Sequence, residues 1–569
     1  MPTQIAPAPK LQFFDANGEP LAGGKLYSYA AGTTTPQATY TDYGGVTANA
    51  NPIILDSRGE TSVWFGSLLY KLKLTTSADV EIWTVDNIGG MASLAQVTEL
   101  SSQLAASGGS SLIGFLQAGT GAIARTVQSK LRDGVSIKDF GAVGNGIADD
   151  EGAIQKALNT GDAVYVPKGT YVVGAKMEIN YPATFGGAGA PSIISTTGAF
   201  PAAEIFEIFH APGIDPKGWT IEDLVIKNNG SATHAFTMNV STLGGYMSKF
   251  TLRNVICANQ VSGAFFELVN TTPQMDGFFT SYISDNWSLG GYYLENIGDS
   301  VFFERNTTSG AGRGYYINQL PTASHVVIRD GNCTSAGGGL LVAQGYNITF
   351  QNMQVECPVT FTGSNNAILS ANSPSALITN LRILDNNVNA QTVNPTVDCI
   401  NLDDTQSAVI SGNSLYCDST SGQHIVIGSN ARDTYIGSNS YYNSATGADL
   451  AAKIVDNGIG TKGIWKNATI VIPGWGLVDP TNGFPVGYFK DIDGTIFLRG
   501  NISGVAPGSA NLLFVLPVGF RPRLKVVVQY LPYSASANAA VQIEPTGAVT
   551  LLTGTATAVY LDGVSFSTK

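Results

Sequence analysis

No run of eighteen apolar residues occurs in this chain, so the sequence offers no membrane-spanning helix. Cysteine is scarce. Cys257, Cys333, Cys357, Cys399 and Cys417 are odd in number and form no CxxC pair, which argues for buried thiols and against a disulfide frame or a zinc site. Charge is scarce too, at 13% Asp, Glu, Lys and Arg over 569 residues, and the basic share is the smaller; the formal net charge of −12 disfavours nucleic acid as a partner. The first residues, MPTQIAPAPK, lack an apolar h-region and a cleavage site, so a signal peptide is not expected and export is expected by another route. No Ser-His-Asp order, phosphate loop or metal-ligand spacing rises above chance, and no cofactor is expected.

What the chain does have is glycine, 66 of them, with many Asn, Thr and Ser and a 44% apolar content. That composition fits a β-rich, turn-rich protein of more than one domain. One stretch, Val135 to Gly174, sets the frame. It runs from a β-prone segment ending in Asp139-Phe140-Gly141-Ala142 through a Gly144-Asn145-Gly146 turn to an Asp149-Asp150 pair placed to N-cap a helix over Glu151–Leu158. Ile154 and Leu158 share one face of that helix, and a strand ending in Pro167 then leads through Gly169-Thr170-Tyr171 into another. This order of turn, cap, helix and VPKGTY strand resembles the opening of the pectate-lyase-like family of right-handed parallel β-helices, as found in phage tailspikes. The resemblance implies an all-β chain whose residues 131–460 form a right-handed parallel β-helix.

Residues 1–90 alternate short strands with turns, and FFDANGEPLAGGKLYSYAAGTTTPQATYTD with NPIILDSRGE resembles the virion-attachment domain at the head of phage tail fibres, which implies docking to a phage tail or baseplate protein. Over 91–130 the chain turns helical: Leu94, Val97, Leu100 and Leu104 form an apolar seam too short to stand alone, which three copies would shield in a neck. After about 460, alternating strands joined by Asp-Gly, Pro-Gly and Thr-Gly turns suggest an antiparallel β-sandwich over 461–569. LPVGFRP and LDGVSF there resemble the C-terminal domain of tailspikes, which implies trimerisation or sugar binding.

Within 174–460, strands repeatedly end in Asn: Asn229, Asn254, Asn286, Asn306, Asn332, Asn352, Asn387, Asn413 and Asn439, at steps of 20 to 35 residues. One rung of a solenoid per step is expected, with the Asn column bonding the backbone of successive turns. A second family of strands aligns as AFTMNV, AFFELV, YYLENI, YYINQL, LLVAQG and AILSAN. If Phe266, Leu294, Ile317, Val342 and Leu369 point into the bore, two columns point out: Phe265, Tyr293 and Tyr316 beside Glu267, Glu295 and Asn318. Rings suit the C–H faces of sugars and the polar column suits their hydroxyls, so Phe265, Tyr293, Tyr316 and Asn318 are expected to bind glycan, unless a loop or a neighbouring subunit covers them.

Two chemistries fit such a track. Glu267 and Glu295, on adjacent rungs about 4.8 Å apart, would serve as the paired carboxyls of a glycoside hydrolase near the spacing for retention. Asp403, Asp404 and Glu304 are lesser candidates. A polysaccharide lyase would use a His or Tyr base and a cation, for which His325 and Arg329 share a strand face but lie about 13 Å apart along it. The expectation is a homotrimeric tailspike on the phage virion that depolymerises a bacterial capsular or other surface polysaccharide, most simply by hydrolysis. Its rivals are a lyase acting by β-elimination and a receptor-binding fibre that does not cut.

Overall fold

The computed structural model describes residues 4–5, 10–89, 94–181, 184–208, 218–239, 250–259, 264–269, 281–295, 300–310, 312–319, 325–357, 361, 367–373, 377–390, 396–417, 422–443, 446, 448, 452–464, 466–467, 476–477, 486–503, 511–530, 539–552 and 558–568. They group into two compact units, Met1–Asp133 and Gly134–Lys569. The first holds an antiparallel sheet in the order Ile53–Ile54, Lys25–Ala30, Tyr70–Thr75, Glu81–Ile88. Its core is built on Leu26, Val63, Phe65, Tyr70 and Leu74. The helix Leu94–Ala105 follows, with Val97, Leu100 and Leu104 of the expected seam all exposed.

The second unit opens on the stretch that sets the frame. The helix Glu151–Leu158 forms as expected, and Ile154 and Leu158 are buried. The aspartate pair divides its work differently from the expectation. Asp149 accepts the Glu151 N–H at 3.1 Å, but Asp150 caps nothing. Its carboxylate takes the Val143 and Gly144 N–H groups at 2.6 and 3.1 Å and closes the glycine turn.

Beyond it the chain winds into a parallel β-helix. Each rung gives one strand to an eleven-stranded parallel sheet and two to a second sheet that bends between them. The bend has a local cause. At Asp285, Arg305, Asp330, Asn352, Asp385 and Gly412 the backbone enters the left-handed region, φ between 51 and 75°, which Asn, Asp and Gly tolerate best. The next residue then turns inward, and there an amide ladder forms. Asn306 Oδ1 accepts from Asn286, Asn413 Oδ1 from Asn386, and Asn439 Oδ1 from Asn413, each time from both the backbone N–H and the side-chain amide. Gly331 and Met353 replace Asn on two rungs, and Gly331 N–H donates to Met353 Sδ at 3.1 Å.

The expected single Asn column is therefore two. Asn286, Asn306, Asn413 and Asn439 belong to the buried ladder, while Asn254 and Asn352 are corner residues one position earlier, bonded to Asp223 and Asp330. Asn332 and Asn387 begin the following strands. Asn229 bonds Ser195 Oγ and the Thr196 carbonyl instead.

The bore is packed with aliphatic side chains and a run of rings, Phe206, Phe236, Phe265, Tyr292 and Tyr315, each in contact with the next. All five cysteines are buried free thiols, as expected. Past the last rung, three antiparallel sheets share a separate core around Ile496, Leu498, Phe514, Phe520 and Val541.

One buried histidine makes stability depend on pH. His424 is fully buried; its Nδ1 accepts the Lys453 N–H at 3.1 Å and its Nε2 donates to the Tyr442 carbonyl at 3.2 Å. Burial lowers its pKa below the ordinary 6.5. As pH falls below 6.5 the unfolded chain takes up a proton that the folded chain refuses. The contribution of His424 is thus full above 6.5 and lost on acidification. Asp398, raised by burial to about 6, acts with the opposite sign: its protonation favours the folded chain as pH falls through 6. Melting followed from pH 7.5 to 5.5 should therefore fall more steeply in the wild type than in His424→Gln, whose amide can replace both hydrogen bonds.

Candidate functional site

The eleven-stranded sheet presents one outward column that the register fixes without ambiguity: Glu178, Glu207, Thr237, Glu267, Tyr293, Tyr316, Leu341, Ser370 and Asn401 on successive rungs. Inward neighbours Leu268, Leu294, Ile317 and Val342 hold these strands on the core. A second outward column runs Val269, Glu295, Asn318, Gln344.

This register corrects the expected site in two places. Phe265 is fully buried, edge-on to both Phe236 and Tyr292, and cannot be a sugar platform. The cause is an irregularity between Ala264 and Phe266: Ala264 lies opposite Gly291 but Phe266 opposite Tyr292, so Phe265 is an extra residue turned inward. Glu267 also lies two positions from its expected partner, one from this irregularity and one because Ala264 already faces Gly291 rather than Tyr292. It faces Tyr293, while Glu295 faces Val269 and Asn318. Glu267 and Glu295 are therefore diagonal across adjacent strands, with Cα atoms roughly 8 Å apart from the strand spacing and rise.

Tyr293 and Tyr316 do come together. Their rings stack with centroids 4.5 Å apart and planes 5° from parallel. Each covers the other's inner face, so a ligand is offered the outer face of Tyr293, toward Glu267, or that of Tyr316, toward Leu341. The Tyr293 hydroxyl donates to Glu295 at 3.0 Å, and the Asn318 amide reaches the other oxygen of Glu295 at 3.4 Å. Burial, then the bond to Glu295, raises the Tyr293 pKa; burial, then the nearby Glu295 charge, raises that of Tyr316.

A cleft of about 410 Å³ opens on the Glu267 side of Tyr293, lined by His234, Ala264, Glu267, Gly291, Tyr293, Arg313 and Tyr316 among others. Gly291 is required where it stands, since a Cβ there would run into the Arg313 carbonyl. Arg313 bonds the Leu340 carbonyl at 3.3 Å, and burial brings its pKa down to about 10. His234 Nε2 lies 3.6 Å from Glu267 Oε2. Sequence reasoning passed over both His234 and Arg313. His234 opens the strand His234–Asn239 and Arg313 sits in the glycine turn before Tyr315–Asn318, so each falls at a strand start, where rung register alone can place it.

The alternative pair is not assembled. Arg329 is ion-paired with Glu304, and the His325 ring packs edge-on to Phe302. Asp403 accepts from Asp404 N–H and Asn430 N–H, a turn-closing role. Among the described residues no group of three or more His, Cys, Asp or Glu could hold a metal ion.

Three strands to a rung and a polar ladder inside an apolar bore define a parallel β-helix. Residues 134–369 match the family described as rhamnogalacturonase A/epimerase, pectate lyase-like. The preneck appendage protein of Bacillus phage PZA is 43% identical over 221 residues, 35% of this chain and 24% of that protein. The plasmin and fibronectin-binding protein A of Streptococcus pneumoniae (strain ATCC BAA-255 / R6) is 37% identical over 95 residues, 13% of each chain. Tailspike protein 3 of bacteriophage CBA120 superposes over 78% of this chain and 72% of its own, with a TM-score of 0.40 at 14% identity. The chain spans about a quarter or less of the length of the phage relatives it matches. The expected likeness to pectate-lyase-like β-helices and to phage appendage proteins is borne out.

Proposed function

We propose that this protein is a phage tailspike that binds and depolymerises a bacterial surface polysaccharide, such as a capsule, in the cleft between Glu267 and Tyr293, by glycoside hydrolysis. The observation that carries the reading is the cleft itself, which joins a carboxylate, an arginine, a histidine and an open aromatic face. Glu267 supplies acid–base catalysis, the outer face of Tyr293 takes the sugar, and Glu295 is the second carboxylate, oriented by Tyr293 and Asn318.

A second reading has its own observation. The cleft also holds the groups a lyase needs, a Tyr or His base and an arginine to quench a uronate carboxylate, as Tyr293, His234 and Arg313. The third reading, a fibre that grips without cutting, draws on the likeness to a streptococcal protein named for binding. Residues 1–90 attach the spike to the tail, 91–130 form a neck, 131–460 carry the site and 461–569 serve trimerisation or carbohydrate binding. The exposed Val97, Leu100 and Leu104 support a homotrimer, because three such seams cover one another.

Incubation with purified capsules of defined type, followed by size-exclusion chromatography with light scattering, tests all of this. Shortened chains, saturated products and a trimeric protein mass are expected. Ultraviolet-absorbing unsaturated products would select the lyase, and bound but intact capsule the fibre. A truncation beginning near Ser110 should keep full activity, since the cleft lies wholly within the unit Gly134–Lys569.

A further inference from the structure

Glu267 does not stand in the cleft alone. Thr233 and His234 both give their backbone N–H to the Ala203 carbonyl, at 2.7 and 2.9 Å, which pins the start of this rung. The Thr233 hydroxyl lies 2.8 Å from His234 Nδ1 and 3.0 Å from the same carbonyl. That contact fixes the imidazole plane and leaves Nε2 directed at Glu267 Oε2, 3.6 Å away. Thr233, His234 and Glu267 thus form a line that ends in the cleft. Both the histidine and the carboxylate are about a quarter exposed, at 23% and 27%. Glu295 is bound to Tyr293 and Asn318 and is not among the residues that line the cleft.

We propose that His234 is a catalytic partner of Glu267: the two hold one exchangeable proton between Nε2 and Oε2, and Thr233 is the positioning residue that keeps Nε2 on that line. When Glu267 gives its proton to the leaving oxygen, His234 replaces it from Nε2. The attacking water gives up a proton to Glu295 and so to solvent, and solvent returns one to Nε2, which restores the pair. The charged or titratable groups facing the pair are Glu204, opposite His234 and ion-paired with Lys176 on the rung before, and Tyr293, Tyr316 and Arg313 on the rungs after. None of these offers the pair a nitrogen base. Neutral imidazole alone can trade a proton with a carboxyl near neutral pH.

The rate half of the test rests on the reading of the cleft as a glycan-cleaving site; the other half does not. With a capsule that the wild type shortens, His234→Gln should lower kcat at least tenfold with KM changed less than threefold. It should also remove one limb of the pH profile. The double variant His234→Gln/Glu267→Gln should be no slower than Glu267→Gln, because two groups acting as a unit are not additive. Independently of any activity, C2–H deuterium exchange of the four histidines can be followed by mass spectrometry across pH. Removing the facing carboxylate in Glu267→Gln should move the exchange midpoint of His234 toward acid and leave that of His325 in place. An unmoved His234 midpoint overturns the proposal even if no capsule is ever cut. A His234→Gln variant that melts as the wild type does, keeps more than a third of its rate and shows an unchanged pH profile overturns it too. Loss of all depolymerisation in the wild type, with the midpoint moved, defeats the glycan reading and leaves the pair standing.

Discussion

Replacing Asn413 with leucine should destabilise the β-helix by about 3 to 5 kcal/mol. Asn413 accepts the Asn386 N–H at 3.0 Å and its side-chain amide at 2.9 Å, and donates to the Ile383 and Ser411 carbonyls at 2.9 and 3.1 Å. It is fully buried. Leucine fills a similar volume but strands at least the Asn386 N–H and the Ile383 carbonyl, and each stranded buried group costs about 1–3 kcal/mol. The comparison is Asn352, a corner residue whose amide reaches Asp330 at the exposed surface. Asn352→Gly keeps the left-handed φ of 51° without strain and should cost less than about 1 kcal/mol. Denaturant midpoints of the two variants decide the matter. Equal losses would mean that the ladder is decoration on a fold held by its apolar bore.

That pair of residues also shows what the sequence could and could not convey. A strand ending in Asn every 20 to 35 residues announced the solenoid, because only a repeating backbone geometry asks for the same polar residue at the same place. Corner and ladder sit side by side, however, and both accept Asn: one for its tolerance of the left-handed region, the other for its amide. A doublet such as Asn386-Asn387 therefore leaves the register open by one residue, and only backbone coordinates resolve it. The site suffered from the same limit more severely. Aligning AFFELV with YYLENI position for position, so that Glu267 meets Glu295, is natural, yet the true frame pairs Leu268 with Leu294 and makes Phe265 supernumerary. Three consecutive buried residues, Ala264 to Phe266, break the alternation that the alignment assumed. Tyr293, Tyr316 and Glu267 still met, because the two-residue slip preserves which face a side chain is on. The expected carboxylate spacing did not survive it. His234 and Arg313 were invisible for a different reason: they enter the cleft at or just before a strand start, where no periodicity announces them.

Glu267→Gln is the substitution on which the functional reading stands. Glutamine is nearly isosteric, and Glu267 lies outside the bore with 27% of its side chain exposed, so melting should stay within about 1 kcal/mol of the wild type. A positioned acid or base is worth about 10² to 10⁴ in rate. Depolymerisation should therefore fall by at least a hundredfold while the oligosaccharide still binds. Glu295→Gln can still accept the Tyr293 hydroxyl, so any loss there reports the missing charge alone. Tyr293→Ala removes the ring face open toward Glu267 and should weaken binding more than it slows turnover. These three variants separate the roles. If Glu267→Gln keeps more than about a tenth of the wild-type rate, general acid–base catalysis at this position is excluded, and the cleft is then a grip on the glycan rather than the place where it is cut.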